Sequence, residues 1–112
     1  MFNFDNLEYY TGTENYYKNP YFWFVYTDGV KYICDNGGAW LIQDISLYTY
    51  KHKEDDFICV DVVFENHTAT ITFSDGNGLV WDKKSVFYTP DFADGEIKLF
   101  IYDNVCLLAN EY

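Results

Sequence analysis

Near Lys51 the spacing of apolar residues changes from a helical repeat to alternation, and the alternating half is cut into short runs by turn sequences. Phe57 to Glu65 is rich in Val, Ile and Phe, and Thr68 to Phe73 alternates with period two across the turn Asn66-His67. β-branched and aromatic side chains at that period suit a pleated surface with one face buried. Ser74 to Gly78 supplies the next turn and Leu79 to Tyr88 the next strand, followed by a loop broken at Thr89-Pro90 and Asp94-Gly95. Glu96 to Tyr102 then pairs through Asp103-Asn104 with Val105 to Ala109, a hairpin whose turn residues tolerate a left-handed backbone.

The first half reads as helical. Gly12-Thr13 is placed to cap a short helix over Thr13 to Lys18, which Asn19-Pro20 ends. Tyr21 to Tyr26 is a dense aromatic run, either a buried strand or a packed extended segment. Thr27-Asp28-Gly29 fits a hairpin turn or a helix cap. The cap is favoured, because Val30, Ile33 and Cys34 then share one face of a helix that Gly37-Gly38 ends. Ala39 to Tyr50 forms the next helix, with Trp40, Leu41, Ile45 and Tyr48 on its apolar stripe and Gln43, Asp44 and Thr49 off it. The expected architecture is a single α+β domain over residues 1–112, with two or three N-terminal helices packed on an antiparallel, mostly meander sheet of about five strands.

Charge narrows the function more than any motif. The 112 residues carry 18 Asp and Glu against 7 Lys and no Arg, a formal net charge of −11. A field of that sign opposes nucleic acid and anionic lipid, and no guanidinium is present to fork onto phosphate or guanine. Direct nucleic-acid binding and membrane association are therefore not expected. The same field draws in a basic partner and speeds its association. Acidity also keeps an aromatic-rich chain soluble, which is the simpler explanation of the same numbers.

Cys34, Cys59 and Cys106 are far apart and flanked by Ile, Val or Leu, so they read as small buried hydrophobes. Without a C-x-x-C pair or the basic and apolar regions of a signal peptide near Met1, the expected compartment is the cytoplasm. Asp75-Gly76-Asn77-Gly78 invites a calcium-loop reading, but Leu79 stands where a third ligand belongs and no Glu closes the loop. His52 and His67 lack a second ligand at helical spacing, and no nucleophile motif or phosphate loop occurs, so neither a metal, a cofactor nor catalysis is expected.

Aromatic residues make up 22% of the chain, more than one small core needs. An A- and T-rich coding sequence would give the same bias without selection for binding. Between Glu8 and Trp23, however, aromatic and acidic residues overlap: Glu8, Tyr9, Tyr10, Glu14, Tyr16 and Tyr17, then Tyr21, Phe22 and Trp23. Tyr beside carboxylates suits a basic, amphipathic partner. The candidate partner-binding residues are thus Glu8, Tyr9, Tyr10, Glu14, Tyr17, Tyr21 and Trp23, together with the acidic run Glu54, Asp55 and Asp56.

Four segments in combination, Thr11-Gly12-Thr13-Glu14 with Tyr16-Tyr17, Thr27 to Tyr32, Gly38 to Ile42, and Glu96 to Leu99 with Leu107-Leu108 and Glu111-Tyr112, resemble a family of small uncharacterised proteins from bacteria, phages and mobile elements. The resemblance implies a setting and no catalytic residue or ligand. In that setting the leading expectation is an intracellular protein-binding module, an anti-defence (anti-CRISPR-like) inhibitor occupying the basic, nucleic-acid-binding groove of a host protein. The alternative is a small-molecule binder that sequesters a signalling nucleotide between aromatic rings, and a hydrolase ranks third. Surplus aromatics on a small domain also make a homodimer a candidate.

Overall fold

The computed structural model describes residues 7, 9–10, 15–87 and 93–112. Among them run β1 (Tyr16–Tyr17), β2 (Val25–Thr27), α1 (Asp28–Ile33), α2 (Ala39–Thr49), β3 (Phe57–Glu65), β4 (Thr68–Ser74), β5 (Val80–Phe87), β6 (Gly95–Tyr102) and β7 (Val105–Leu108). The strands form one mixed sheet of seven, in the order β1-β2-β7-β6-β3-β4-β5.

The expectation of several helices on a five-strand antiparallel meander is therefore corrected on both counts. Asp28 to His52 is one helical stretch, because Gly37-Gly38 does not stop it. The chain widens into a π turn over Cys34–Gly38, with Gly37 at φ 98°, and α2 resumes directly. Asn36 Nδ2 donates to the Tyr32 carbonyl at 2.8 Å across the kink. A Cβ on Gly38 would collide with Ile33 Cγ2 and lie 2.8 Å from the Ile33 carbonyl oxygen, so only glycine lets the two turns close up. The helix expected over Thr13 to Lys18 is instead a strand where it is described: Tyr16 and Tyr17 pair with Thr27 and Tyr26, while Thr13 and Glu14 lie outside the described residues.

The strands of the second half match their sequence reading closely, and the turns show why. Asn66 and His67 sit at φ 51° and 60°, and Asp103 and Asn104 at 53° and 62°. Two consecutive left-handed residues make the turn whose twist matches a two-residue hairpin. The meander fails elsewhere. β3, β4 and β5 do follow one another, but β6 returns to the free side of β3. The local order β6-β3-β4-β5 is that of a Greek key. β7 then pairs with β2 in parallel, Val25 opposite Val105 and Tyr26 opposite Cys106. That pairing joins the two halves of the chain.

One face of the sheet is covered by the helical stretch. Ile58, Val60, Val62 and Phe64 of β3 point into this core, as do Ile97, Leu99 and Ile101 of β6, opposite Leu41, Ile42 and Ile45 of α2. Each such side chain contributes about 1.5–3 kcal/mol on leaving water. Thr49, expected off the apolar stripe, is fully buried. Its Oγ1 donates to the Ile45 carbonyl at 2.6 Å and accepts Trp23 Nε1–H at 3.0 Å, so the hydroxyl is satisfied inside.

Candidate functional site

A surface carboxylate and a buried one do different work, and this chain holds both kinds. Glu111 is 8% exposed. Its Oε1 accepts the Thr27 hydroxyl at 2.6 Å and the Leu108 N–H at 3.0 Å, and its Oε2 accepts the Gly29 N–H at 3.1 Å. The parallel pairing of β7 with β2 brings the end of the chain back to the start of α1, where free amides and the helix dipole favour an anion. Thr27 stands at the cap position but turns its hydroxyl to Glu111 instead of its own helix. A Cβ on Gly29 would lie 2.5 Å from Leu108 Cδ1 and 2.6 Å from Glu111 Oε1, so the glycine is what lets the carboxylate in. This carboxylate is a structural clasp.

The exposed carboxylates gather at one end of the sheet. Glu54, Asp55 and Asp56 leave the helical stretch just before β3, and the β6–β7 turn sets Asp103 and Asn104 beside them. Together with Tyr102 and Lys53 they line a groove of about 580 Å³. Among the described residues, no ion pair involves Glu54, Asp56 or Asp103. Lys53 is drawn to Tyr50, its Nζ 3.1 Å from the hydroxyl and 4.3 Å from the ring centroid. Asp55 meets His52 Nδ1 at 2.9 Å, and the imidazole stacks on Trp81 at 3.7 Å. His67 lies in the β3–β4 turn, at the other end of β3.

A second cleft, about 420 Å³, adjoins the acidic groove through Lys53, Glu54, Asp103 and Asn104 and is walled by Phe22 and Trp23. The same two rings border an apolar groove of about 320 Å³ between Pro20–Trp23 and α2. Tyr21, Leu47 and Tyr50 border it and are 78%, 70% and 55% exposed. The face of the sheet away from the helix carries another aromatic group, in which Tyr112 packs edge-on against Phe57, Phe100 and Tyr102.

The residues singled out in the sequence divide between these surfaces and the interior. Glu8 and Glu14 lie outside the described residues. Tyr9, Tyr16 and Tyr21 face solvent. Tyr10, Tyr17, Phe22 and Trp23 pack against the core, Tyr17 donating its hydroxyl to Asp28 Oδ1 at 2.8 Å. Glu54, Asp55 and Asp56 are exposed and contiguous with Trp23 through the shared cleft. Local sequence does not single out Asp103, Leu47 and Tyr50. Asp103 reads as a turn, and the antiparallel β3–β6 register, with Phe57 opposite Tyr102, is what places that turn beside Asp56 and Glu54. Leu47 was detectable as an apolar residue off the helix stripe.

The remaining chemistry is structural. Asp75 Oδ1 accepts the amides of Asn77 and Leu79 at 2.8 and 3.2 Å, which makes the Asp75–Gly78 segment a clasped turn. Cys34, Cys59 and Cys106 are unbridged. Burial, helped by the charge of Asp35, pushes the Cys34 thiol up to about 11, and burial pushes Cys59 and Cys106 up as well. Among the described residues no group of His, Cys, Asp and Glu is arranged to hold a metal ion, and no helix is long and apolar enough to cross a membrane.

Fold and surface together define a mostly β, mixed-sheet domain with a single helical layer and a carboxylate-rich end beside an apolar groove. The chain belongs to the family of unknown function DUF6876, whose profile matches residues 2–112. No curated protein and no solved structure matches it.

Proposed function

We propose that the protein is a binding module for a basic protein partner, engaged through the acidic end formed by Glu54, Asp55, Asp56 and Asp103. The observation that carries this reading is the convergence of those four carboxylates, three from one connection and one from a distant hairpin turn, on a single groove. The net charge of −11 adds a long-range field of the same sign, which raises encounter rates with a cationic surface and falls with salt. In the phage and mobile-element setting that the resemblance implies, the partner is the basic, nucleic-acid-binding groove of a host defence protein, and the domain acts as its inhibitor.

The test is a pull-down from bacterial lysate with two baits, the wild type and a variant carrying Glu54→Gln, Asp55→Asn, Asp56→Asn and Asp103→Asn, each at low and moderate salt. Basic proteins held by the wild type, released by salt and missing from the variant are expected. Identical captures on both baits would refute the assignment.

A ligand-binding reading has one observation in its favour. Phe57 and Phe100, ring centroids 4.9 Å apart, border a cleft of about 330 Å³ with Lys98 and the Asp75–Asn77 turn. That volume suits a small aromatic ligand. Thermal shifts with purine nucleotides, and their loss in Lys98→Ala, would move the function there.

A further inference from the structure

We infer that the apolar groove between Pro20–Trp23 and α2 receives the apolar face of a basic amphipathic helix from the partner, an inference that rests on the acidic-end reading. Leu47 and Tyr50 stand one turn apart on the outer side of the helical stretch, and Tyr21 faces them across the groove. All three are more than half exposed and border one groove, and it is such clustering of large apolar side chains, rather than their exposure singly, that marks an interaction surface.

The form of the occupant follows from the backbone. An extended peptide binds by adding hydrogen bonds to free main-chain groups. Here the amides along the groove are already taken: Tyr21 N–H by Asn19 Oδ1, Phe22 N–H by the Asn19 carbonyl, and Trp23 N–H by Ser46 Oγ. With those donors taken the groove cannot complete a strand ladder, and it offers chiefly side-chain surface, which is what a helix laid in a groove reads at spacings of three and four residues.

The charge of the occupant follows from what adjoins the groove. Phe22 and Trp23 wall both it and the cleft in which Glu54 and Asp103 stand with Lys18 and Lys53, and that cleft opens onto the groove where Asp55 and Asp56 add to Glu54 and Asp103 and carboxylates outnumber Lys53 four to one. A helix seated against Leu47 and Tyr50 thus lies within the field of that acidic end, where Lys or Arg is matched and Asp or Glu repelled. A second copy of this chain would bring its own excess of negative charge to the contact, which disfavours a homodimer here.

The probes are three labelled peptides: a designed Leu/Lys amphipathic helix, a scramble of the same composition without the helical stripe, and a Leu/Glu counterpart. Binding is read by fluorescence anisotropy against the wild type, Leu47→Glu and the four-residue acid-neutralised variant, with circular dichroism confirming that each folds. The wild type should bind the Leu/Lys helix about tenfold or more tightly than the scramble, and the Leu/Glu helix not at all. Leu47→Glu adds a negative charge, so attraction by field alone would tighten binding, whereas loss of the groove weakens it by about tenfold. If Leu47→Glu binds as well as the wild type while neutralisation abolishes binding, the groove is wrong and the acidic end stands. If neutralisation changes nothing, the acidic-end reading fails. Absence of binding by the wild type overturns both. Self-association in sedimentation that Leu47→Glu removes would give the groove to a second copy and overturn the inference.

Discussion

Glu111 and the Glu54–Asp56 run carry the same functional group in opposite surroundings. Glu111 is enclosed, takes three hydrogen bonds, two of them from groups separated from it by most of the sequence, and ties the end of the chain to the first helical turn. Glu54, Asp56 and Asp103 are exposed and take part in no ion pair among the described residues. The difference teaches where each charge acts. A carboxylate already matched by donors stabilises the fold and has little left for a partner, whereas clustered, unmatched carboxylates repel one another and are relieved by a cation from outside.

Substitution should separate the two sets. Glu111→Ala strands the Thr27 hydroxyl and the Gly29 and Leu108 amides, and is expected to cost about 3 kcal/mol or more in urea unfolding, since each buried unpaired group costs about 1–3 kcal/mol. A loss below about 1 kcal/mol would mean that water replaces the carboxylate and that the clasp is incidental. Gly29→Ala drives a methyl group into Leu108 and Glu111 and should cost about 1–3 kcal/mol, with Glu111→Ala and Gly29→Ala less than additive because they disturb one contact. Neutralising Glu54, Asp55, Asp56 and Asp103 together should leave stability within about 0.5 kcal/mol or raise it slightly, as exposed repulsion is removed. A large loss would place these residues in the clasp's class.

Alkali supplies a smaller effect. The Cys34 thiol is raised from an ordinary value near 9.0 to about 11, so the folded state favours the neutral thiol. Above pH 9 the unfolded chain releases that proton first, and the stability it lends is lost progressively between about pH 9 and pH 11. Buried Cys106 and Tyr26 and half-buried Tyr10 are shifted up with it by desolvation, Tyr17 by its hydrogen bond to Asp28, and all act in the same direction. Unfolding midpoints followed over this range should fall, and Cys34→Ala should flatten part of the slope. A flat profile in the wild type would contradict the burial of these groups.

The sequence was legible where the determinant is local. Asn66-His67 and Asp103-Asn104 announce tight hairpins because two left-handed residues suffice to make one, and the strands around them alternate as a half-buried sheet requires. Gly37-Gly38 misled for the same reason: glycine is a stop signal by itself, but here Ile33 packs against Gly38 and the helix continues past a single π turn. The parallel β2–β7 pair joins residues at opposite ends of the chain, and no local pattern encodes it. Half the candidate site went the same way. The run Glu54 to Asp56 is recognisable as solvated from its composition, whereas Asp103 joins it only through the β3–β6 register, which sets Tyr102 opposite Phe57. Tyr17 and Trp23 resemble Tyr21 in sequence, yet distant partners, Asp28 and Thr49, draw their polar tips into the structure.

The most direct measurement is a titration of isotope-labelled protein with the Leu/Lys amphipathic helix, followed by amide chemical shifts at low salt. Shifts concentrated on Tyr21 to Trp23, Leu47, Tyr50, Glu54 and Asp103, with Gly29, Leu108 and Glu111 unmoved, are the predicted result. Shifts centred instead on Phe57, Phe100 and Tyr112, or spread evenly over the surface, would contradict the division between a carboxylate that folds the chain and carboxylates that bind.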